Sequence, residues 1–394
     1  MGIVVTGVGI VTALGVGLDK NLTSIKQGVS GISLSPQILG TSHTLPVGEL
    51  PVTNEELHAL AAIPASEHLS RTALLGILAV REALLDAGVD SSKRIGLVSS
   101  TSVGGMDLTE HFFEHFIADD SKGRLRDVRM HDCAASTEAI RRHCGINSYS
   151  TTISTACSSA ANAVIMGAKL LKHNVVDCVV VGGSDALSAF TLNGFKSLMI
   201  LDSEPCRPFD SSRAGLNLGE GAGYIVLQRE EEEEEAEEYY CHLAGYSNRN
   251  DAHHQTASSA TGDGAYLAMS EALQMAGLAP SDVSYINAHG TGTGNNDASE
   301  SAAFVRLFGD NIPPFSSTKA FTGHTLAAAG GVEAVLSVLA INRGILYPNL
   351  NFKSPIEEYG LQPLCHYKEG ESVECVMTNS FGFGGNCSSL IFTR

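Results

Sequence analysis

A layered α/β protein assembled from two related halves is the fold class this sequence predicts, on three observations. At 394 residues the chain is long enough for one large core or two ordinary ones. Its hydrophobic content is mainly aliphatic, with 41 glycines and no tryptophan, which suits packed helices on sheets better than a sandwich or a disordered chain. The third observation is an order of elements that occurs twice: a helix ending in Gly, a strand, a polar join, a small-residue helix, a strand and a Gly turn.

The elements follow in order. Met1 to Gly7 reads as a first strand entering a Gly turn, and it lacks the basic flank and small-residue cleavage site of a signal peptide. Ile10 to Gly17 is a Gly-punctuated turn, and Asp19 to Gly28 carries a short helix pattern. Residues 29–66 show no clear period and predict an irregular excursion. Ser70 to Gly88 is an amphipathic helix ending EALLDAG, and Arg94 to Ser100 is the strand after it. Residues 101–150 are less regular. Ser150 to Ser154 is short and β-branched, Ala160 to Leu171 places apolar residues at helical spacing, and Cys178 to Gly183 is a strand. The later half repeats both sentences. A helix ends EALQMAG at Gly277 before a strand from Val283 to Ala288; then His324 opens a helix from Thr325 to Ile341, and Val376 to Gly385 ends in strand and Gly turn. The halves are set at 1–244 and 245–394.

The formal charge of -18 argues against nucleic acid and against an anionic membrane. No apolar run reaches spanning length, which predicts a soluble protein. Nine cysteines without CxxC spacing suit reduced thiols in a cytoplasm. The run Glu230 to Glu235 is read as a solvated helix or loop. His111-Phe112-Phe113-Glu114-His115 matches HxxEH, but with no evident third ligand it is read as a helix with ordinary histidines and no metal.

The chemistry gathers at joins. In Ser154-Thr155-Ala156-Cys157-Ser158-Ser159-Ala160 the cysteine stands near a helix N-terminus, where amide N–H groups and the helix dipole favour a thiolate; a buried, inert cysteine is the alternative. Three stretches after residue 280 each follow a strand: Asn287 to Asp297 with His289, Ser317 to His324 with Lys319, and Asn379 to Cys387 with the Phe383 turn. If the halves are related by a pseudo-twofold, these joins converge at one end of their sheets. A thiolate attacks a thioester, amides of Cys157 and of the Gly382 to Gly385 turn serve the oxyanion, and two imidazole donors suit an enolate left by decarboxylation. Lys319 and Glu333 are candidates for orienting the imidazoles.

With these stretches on the page, the chain resembles the elongating 3-oxoacyl-acyl-carrier-protein synthases, the thiolase-fold condensing enzymes of fatty acid and polyketide synthesis. The likeness runs from VVTGVGIVTALG through TACSSAANA, CRPFDSSRAGLNLGEGAG, NAHGTGTGNND and STKAFTGHTLAAAGGVEA to NSFGFGGN. It implies a duplicated five-layered αβαβα fold, usually a homodimer. It implies Cys157 as the acylated nucleophile and His289 and His324 as the pair that assists decarboxylation of malonyl carrier protein. Lys319 matches the active-site lysine and Glu333 the glutamate behind it. Phe383 matches a gating phenylalanine whose amide completes the oxyanion hole, with Phe381, Gly382 and Gly384 around it as substrate-binding residues. Thr291 and Thr293 match the threonines of the phosphopantetheine tunnel. The resemblance implies no metal and no organic cofactor, because the pantetheine arm arrives on the acyl carrier protein, the partner, as acyl and malonyl thioesters. Arg71 and Arg207 are the candidates for docking it.

Departures accompany the likeness. Gly292, Gly294, Asn295 and Asn296 stand where the fatty acid synthases usually read Ser, Pro and Gly, and Asn386-Cys387 replaces a usual Thr-Asn. Two other readings are weighed: a noncatalytic chain-length partner, which usually lacks the cysteine present here, and a thiolase or cysteine acyl hydrolase. Thiolases usually place a second catalytic cysteine before a Gly pair, whereas Cys387 follows Gly384-Gly385.

Overall fold

The computed structural model describes residues 2–34, 36, 37, 39, 45–230 and 239–394. Most of the acidic run after Glu230 therefore lies outside the described residues. The principal sheet has eleven strands, of which the two-residue Gly15–Val16 folds back on the strand before it; the other ten are β1 (Ile3–Thr12), β2 (Ile95–Ser100), β3 (Ser150–Ile153), β4 (Cys178–Asp185), β5 (Gly221–Arg229), β6 (Cys241–Asn250), β7 (Tyr285–Asn287), β8 (Phe315–Ser316), β9 (Cys375–Gly382) and β10 (Asn386–Thr393). Their order is β8-β7-β9-β10-β6-β1-β5-β4-β2-β3.

That order is two copies of one topology. Within each set of five the spatial sequence is third, second, fourth, fifth, first, with the first three of these parallel and the last two joins antiparallel. Among the strands the copies are joined by two residue pairs of β1 and β6, Val4 with His242 and Val5 with Cys241. Strand β6 runs across the 244/245 division.

Period-two alternation explains the layers. In β4, Val179 and Val181 join the central apolar core, while Cys178 and Val180 face the opposite way into a second core. In β9, Val376 faces the central core, and Cys375 and Met377 a third. Helix α1 (Arg71–Asp86) covers the outside of the first sheet, packing on β1, β5 and β4. Helices α2 (Met106–Ala118), α3 (Ser159–Lys172) and α4 (Ala189–Ser197) follow in the first half. Helices α5 (Asp263–Ala276), α6 (Gly294–Phe308) and α7 (Ala329–Arg343) belong to the second. Helix α5 covers the outside of the second sheet, while α3 and α7 pack on each other between the sheets. The layers are thus αβαβα, and both echoes match, α1–β2 with α5–β7 and α3–β4 with α7–β9.

A central helix has no solvent face, and α7 reads accordingly, with Ala329 to Ile341 all buried. Leu326–Arg343 is apolar and long enough to cross a membrane by composition, yet it lies inside the protein. Its close fit depends on Gly331, where an added Cβ would fall 2.3 Å from the Gly223 carbonyl of β5.

Two expectations change. The excursion of 29–66 contains a helix, Asn54–Leu60, started by a capping box in which Thr53 and Glu56 satisfy each other's backbone. Residues 101–150 hold α2 and the helix Cys133–His143. On α2, His111 and Glu114 point into solvent and His115 Nδ1 lies 2.7 Å from the His111 carbonyl oxygen.

Candidate active site

The join between β3 and α3 carries Cys157. Ala156 before it is held at φ 53°, a left-handed value costly for a side-chain-bearing residue, and this sharp turn swings Cys157 to the mouth of the central helix. The Ser159 hydroxyl accepts from the Thr155 N–H at 2.8 Å and braces the turn. Cys157, His289 and His324 are all buried, and the sulfur and one nitrogen of each ring lie within 4.8 Å of one another. The two imidazole centroids are 5.5 Å apart and the rings nearly perpendicular.

Their neighbours set the tautomers. His324 Nδ1 accepts from the Leu326 N–H at 3.0 Å, so its proton sits on Nε2. Leu326 is held at φ 54° to aim that amide. His289 Nδ1 faces Lys319 Nζ at 3.3 Å, which likewise leaves Nε2 as its donor. Lys319 Nζ also donates to the His289 carbonyl at 2.6 Å and pairs with Glu333. Burial, joined by the nearby Lys319 charge, holds both histidines well below the usual imidazole range, so both are neutral donors. Burial raises Glu333 to about 7 against the pull of Lys319.

The thiol departs from expectation. Burial pushes Cys157 up to about 11, while Lys319 and the N–H groups of Phe383 and Cys157 pull the other way without prevailing. The resting side chain is a neutral thiol rather than a helix-stabilised thiolate. The two amides expected to form an oxyanion hole nevertheless do address its sulfur.

Two cavities meet at Cys157. One, of about 180 Å3, is lined by Cys157, His289, His324, Thr291, Thr293, Phe381 and the turn from Gly382 to Gly385. The other, of about 370 Å3, is largely apolar and is lined by Val103, Phe190, Gly194, Leu198, Leu326 and, shared with the first, Cys157, Phe195 and Phe383. Phe195 of α4 stacks on Phe383 at 5.9 Å between centroids, so an aromatic pair stands where the cavities join. The arrangement can hold a thioester at the sulfur, an apolar chain on one side and a polar linker on the other.

Every residue expected at the site gathers there except the two arginines. Arg71 is buried, its guanidinium gripping Glu220 at 2.7 and 2.9 Å and the carbonyls of Leu50 and Val52 at 2.8 Å. All its donors are committed inside, so it cannot dock a carrier; a single sequence shows its charge but not its burial. Arg207 is mostly buried and paired with Asp202 and Glu204, so it too offers little to a partner.

Several positioning groups were not foreseen. Glu300 of α6 accepts from the His289 and Gly290 N–H groups at 2.9 and 2.8 Å, and Asp297 from Thr291 at 3.0 Å and Phe209 at 2.8 Å. Two carboxylates at i,i+3 in the helix that follows a Gly-rich join are the signal that marks them. Asp185 ties Ser102 at 2.9 Å to Ala327 at 2.8 Å behind His324. The departure at Asn295 forms a two-point clasp, accepting from the Ser258 N–H at 2.7 Å and donating to its carbonyl at 3.0 Å.

Comparison with known proteins gives consistent matches. Residues 1–233 match the family described as beta-ketoacyl synthase, N-terminal domain, and residues 240–353 its C-terminal domain. The chain is 30% identical over 408 residues to 3-oxoacyl-acyl-carrier-protein synthase 2 of Staphylococcus aureus strain COL, covering 100% of this chain and 98% of that one. Among solved structures it is similar to the ishigamide ketosynthase/chain length factor, with a TM-score of 0.92 and 27% identity over 100% of this chain and 99% of that one. It is also similar to the ketosynthase ApeO in complex with its chain length factor ApeC from Xenorhabdus doucetiae, with a TM-score of 0.85 and 32% identity over 100% and 98%.

Proposed function

Because the chain belongs to the beta-ketoacyl synthase family, we propose that its site runs a decarboxylative Claisen condensation with Cys157 as the acyl carrier residue and His289 and His324 as the enolate-stabilising pair. The observation that supports this assignment best is the convergence of a thiol, two neutral imidazoles and two amides at the junction of an apolar and a polar cavity.

In the first half-reaction the Cys157 sulfur bonds to the acyl carbon, the C–S bond to the pantetheine arm breaks, and the proton of the thiol ends on the departing pantetheine sulfur. The N–H groups of Cys157 and Phe383 receive the charge on the tetrahedral oxygen. In the second, the malonyl-bearing pantetheine arm of the carrier protein enters the cavity lined by Thr291 and Thr293. Its carboxylate leaves as carbon dioxide, and the electron pair forms an enolate whose oxygen takes hydrogen bonds from His289 Nε2 and His324 Nε2. The enolate carbon attacks the acyl thioester, Cys157 leaves as thiolate and regains a proton, and the product is a 3-oxoacyl thioester on the carrier. Neutral imidazoles suit this role because they stabilise the enolate without protonating its carbon. Lys319 and Glu333 orient His289. The phosphopantetheine belongs to the substrate, and the step draws on no further group.

The reading includes a homodimer in the cytoplasm. Phe190 and Leu198 are exposed although they line the apolar cavity, a face that a second copy would cover. The nine free cysteines suit a reducing compartment. A chain-length partner without activity is the weaker reading, since Cys157 and both histidines are all in place. The test is direct. Wild type incubated with acyl carrier protein gains the acyl mass on Cys157 and then, with malonyl carrier protein, releases carbon dioxide and 3-oxoacyl product. Cys157→Ala shows no mass shift, and the His289→Ala/His324→Ala pair releases no labelled carbon dioxide above background. An acyl mass persisting in Cys157→Ala would sink the assignment.

A further inference from the structure

The two amides that serve the oxyanion come from different halves of the molecule. The Cys157 amide belongs to the turn ahead of α3, and the Phe383 amide to the turn between β9 and β10. The turns touch: a Cβ on Gly382 would stand 3.2 Å from the nitrogens of both Cys157 and Ser158. Contact alone does not fix the distance between two donors.

Asn386, one of the departures from the family pattern, stands at the end of the Phe383 turn. Its Oδ1 accepts from the Ser158 hydroxyl at 2.6 Å and from Asn162 Nδ2 at 2.9 Å, both on the nucleophile side, and from Asn248 Nδ2 at 2.7 Å on β6. The Ser158 hydroxyl has the Thr155 carbonyl at 2.8 Å as a second acceptor for its one proton, whereas the two Nδ2 groups have only hydrogens to offer, and it is they that call for an oxygen at Asn386 Oδ1. The network closes on itself: Asn162 Nδ2 reaches Thr155 Oγ1 at 2.8 Å, and Ser388 Oγ donates to Asn162 Oδ1 at 2.9 Å. Ser158 and Ser388 are fully buried. Hydrogen bonds in such surroundings are directional and costly to leave unmade.

We propose that Asn386 is the positioning residue that sets the spacing of the oxyanion hole, by locking the Cys157 turn of one half to the Phe383 turn of the other. It touches no reacting atom and acts through Ser158 and the two turns. The inference rests on Cys157 being the nucleophile. Its consequence is selective: acyl transfer, which needs both amides, depends on Asn386, whereas decarboxylation of the malonyl thioester, served by His289 and His324, does not.

The test uses the full chain and two readouts from each preparation: the rate of acyl-Cys157 formation from acyl carrier protein, by mass, and the rate of labelled carbon dioxide release from malonyl carrier protein. Asn386→Leu keeps the size and removes the acceptor. It is expected to slow acylation about tenfold to a hundredfold, less than the roughly hundredfold to thousandfold for outright loss of an oxyanion donor because the donor is displaced and not removed, with carbon dioxide release within about threefold of wild type. Asn386→Thr, which keeps an acceptor oxygen, recovers much of the loss. Acylation by Asn386→Leu at the wild-type rate overturns the proposal, and so does a parallel fall of both rates, which marks a merely structural role. Should the leucine variant not fold, Ser158→Ala carries the same test: a selective slowing of acylation supports the link, and an unchanged ratio overturns it. Failure of the wild type to acylate Cys157 at all would instead overturn the assignment of the site.

Discussion

At Cys157 desolvation and the Lys319 charge pull in opposite directions, and the thiol stays neutral until about pH 11. Loss of the opposing charge therefore has a definite sign. Lys319→Met is expected to raise the thiol further, so that alkylation of Cys157 by iodoacetamide at pH 8 slows relative to wild type. Below its pKa the rate should climb about tenfold per pH unit in both proteins, as thiolate chemistry requires. A variant alkylated faster than wild type at that pH would contradict the sign. The residues legible in the sequence were Cys157, at a join between a β-branched run and a small-residue helix, and His289 and His324, beside glycines at joins that follow strands. Arg71 misled because charge is visible in one sequence while burial against Glu220 is not. Glu300 and Asp297 went unremarked because they act on backbone N–H groups rather than on substrate.

Elements were legible where periodicity is strong. Helices α1, α3 and α7 announce themselves, and so does β4. Strands β7 and β8, of three and two residues, are too short for any alternation to register. Strand β6 gives Asn248 to the network behind Cys157 and Asn250 to the Gly384 carbonyl of the Phe383 turn. The contact of α7 with β5 is the tightest constraint on the central layer. Gly331→Val, which drives a branched side chain into the Gly223 carbonyl, should cost about 1–3 kcal/mol or more as overpacking. The measurement is the thermal unfolding midpoint beside that of Gly194→Ala, whose Cβ would meet nothing within 4 Å. Equal midpoints for the two variants would show that the layer yields.

The whole molecule is acidic, and with Arg71 and Arg207 committed internally, an acidic carrier must find its cations elsewhere. Lys122, Arg124, Arg126 and Arg129 form an exposed basic stretch between α2 and the helix Cys133–His143. Arg124→Glu/Arg126→Glu is expected to raise KM for carrier-bound acyl groups about tenfold at low salt, with less effect at high ionic strength, and to leave turnover of pantetheine thioesters alone. An unchanged KM for the carrier would remove this stretch from consideration. The duplication was legible from two echoes, because each half must solve the same problem of covering a sheet on both faces. That solution has a bearing on how the protein is made. Helix α3 is covered by α7, and β10 is inserted between β9 and β6 although it follows both in the chain. As the chain leaves the ribosome, α3 waits with one side bare until some 170 further residues are made, and the gap between β9 and β6 in the second sheet closes only with β10. A polypeptide broken off by premature termination before Asn386 would hold Cys157, His289, His324 and the Phe383 turn and still lack β10, so the turn that carries Cys157 and the turn that carries Phe383 would be made without the strand whose first residue links them.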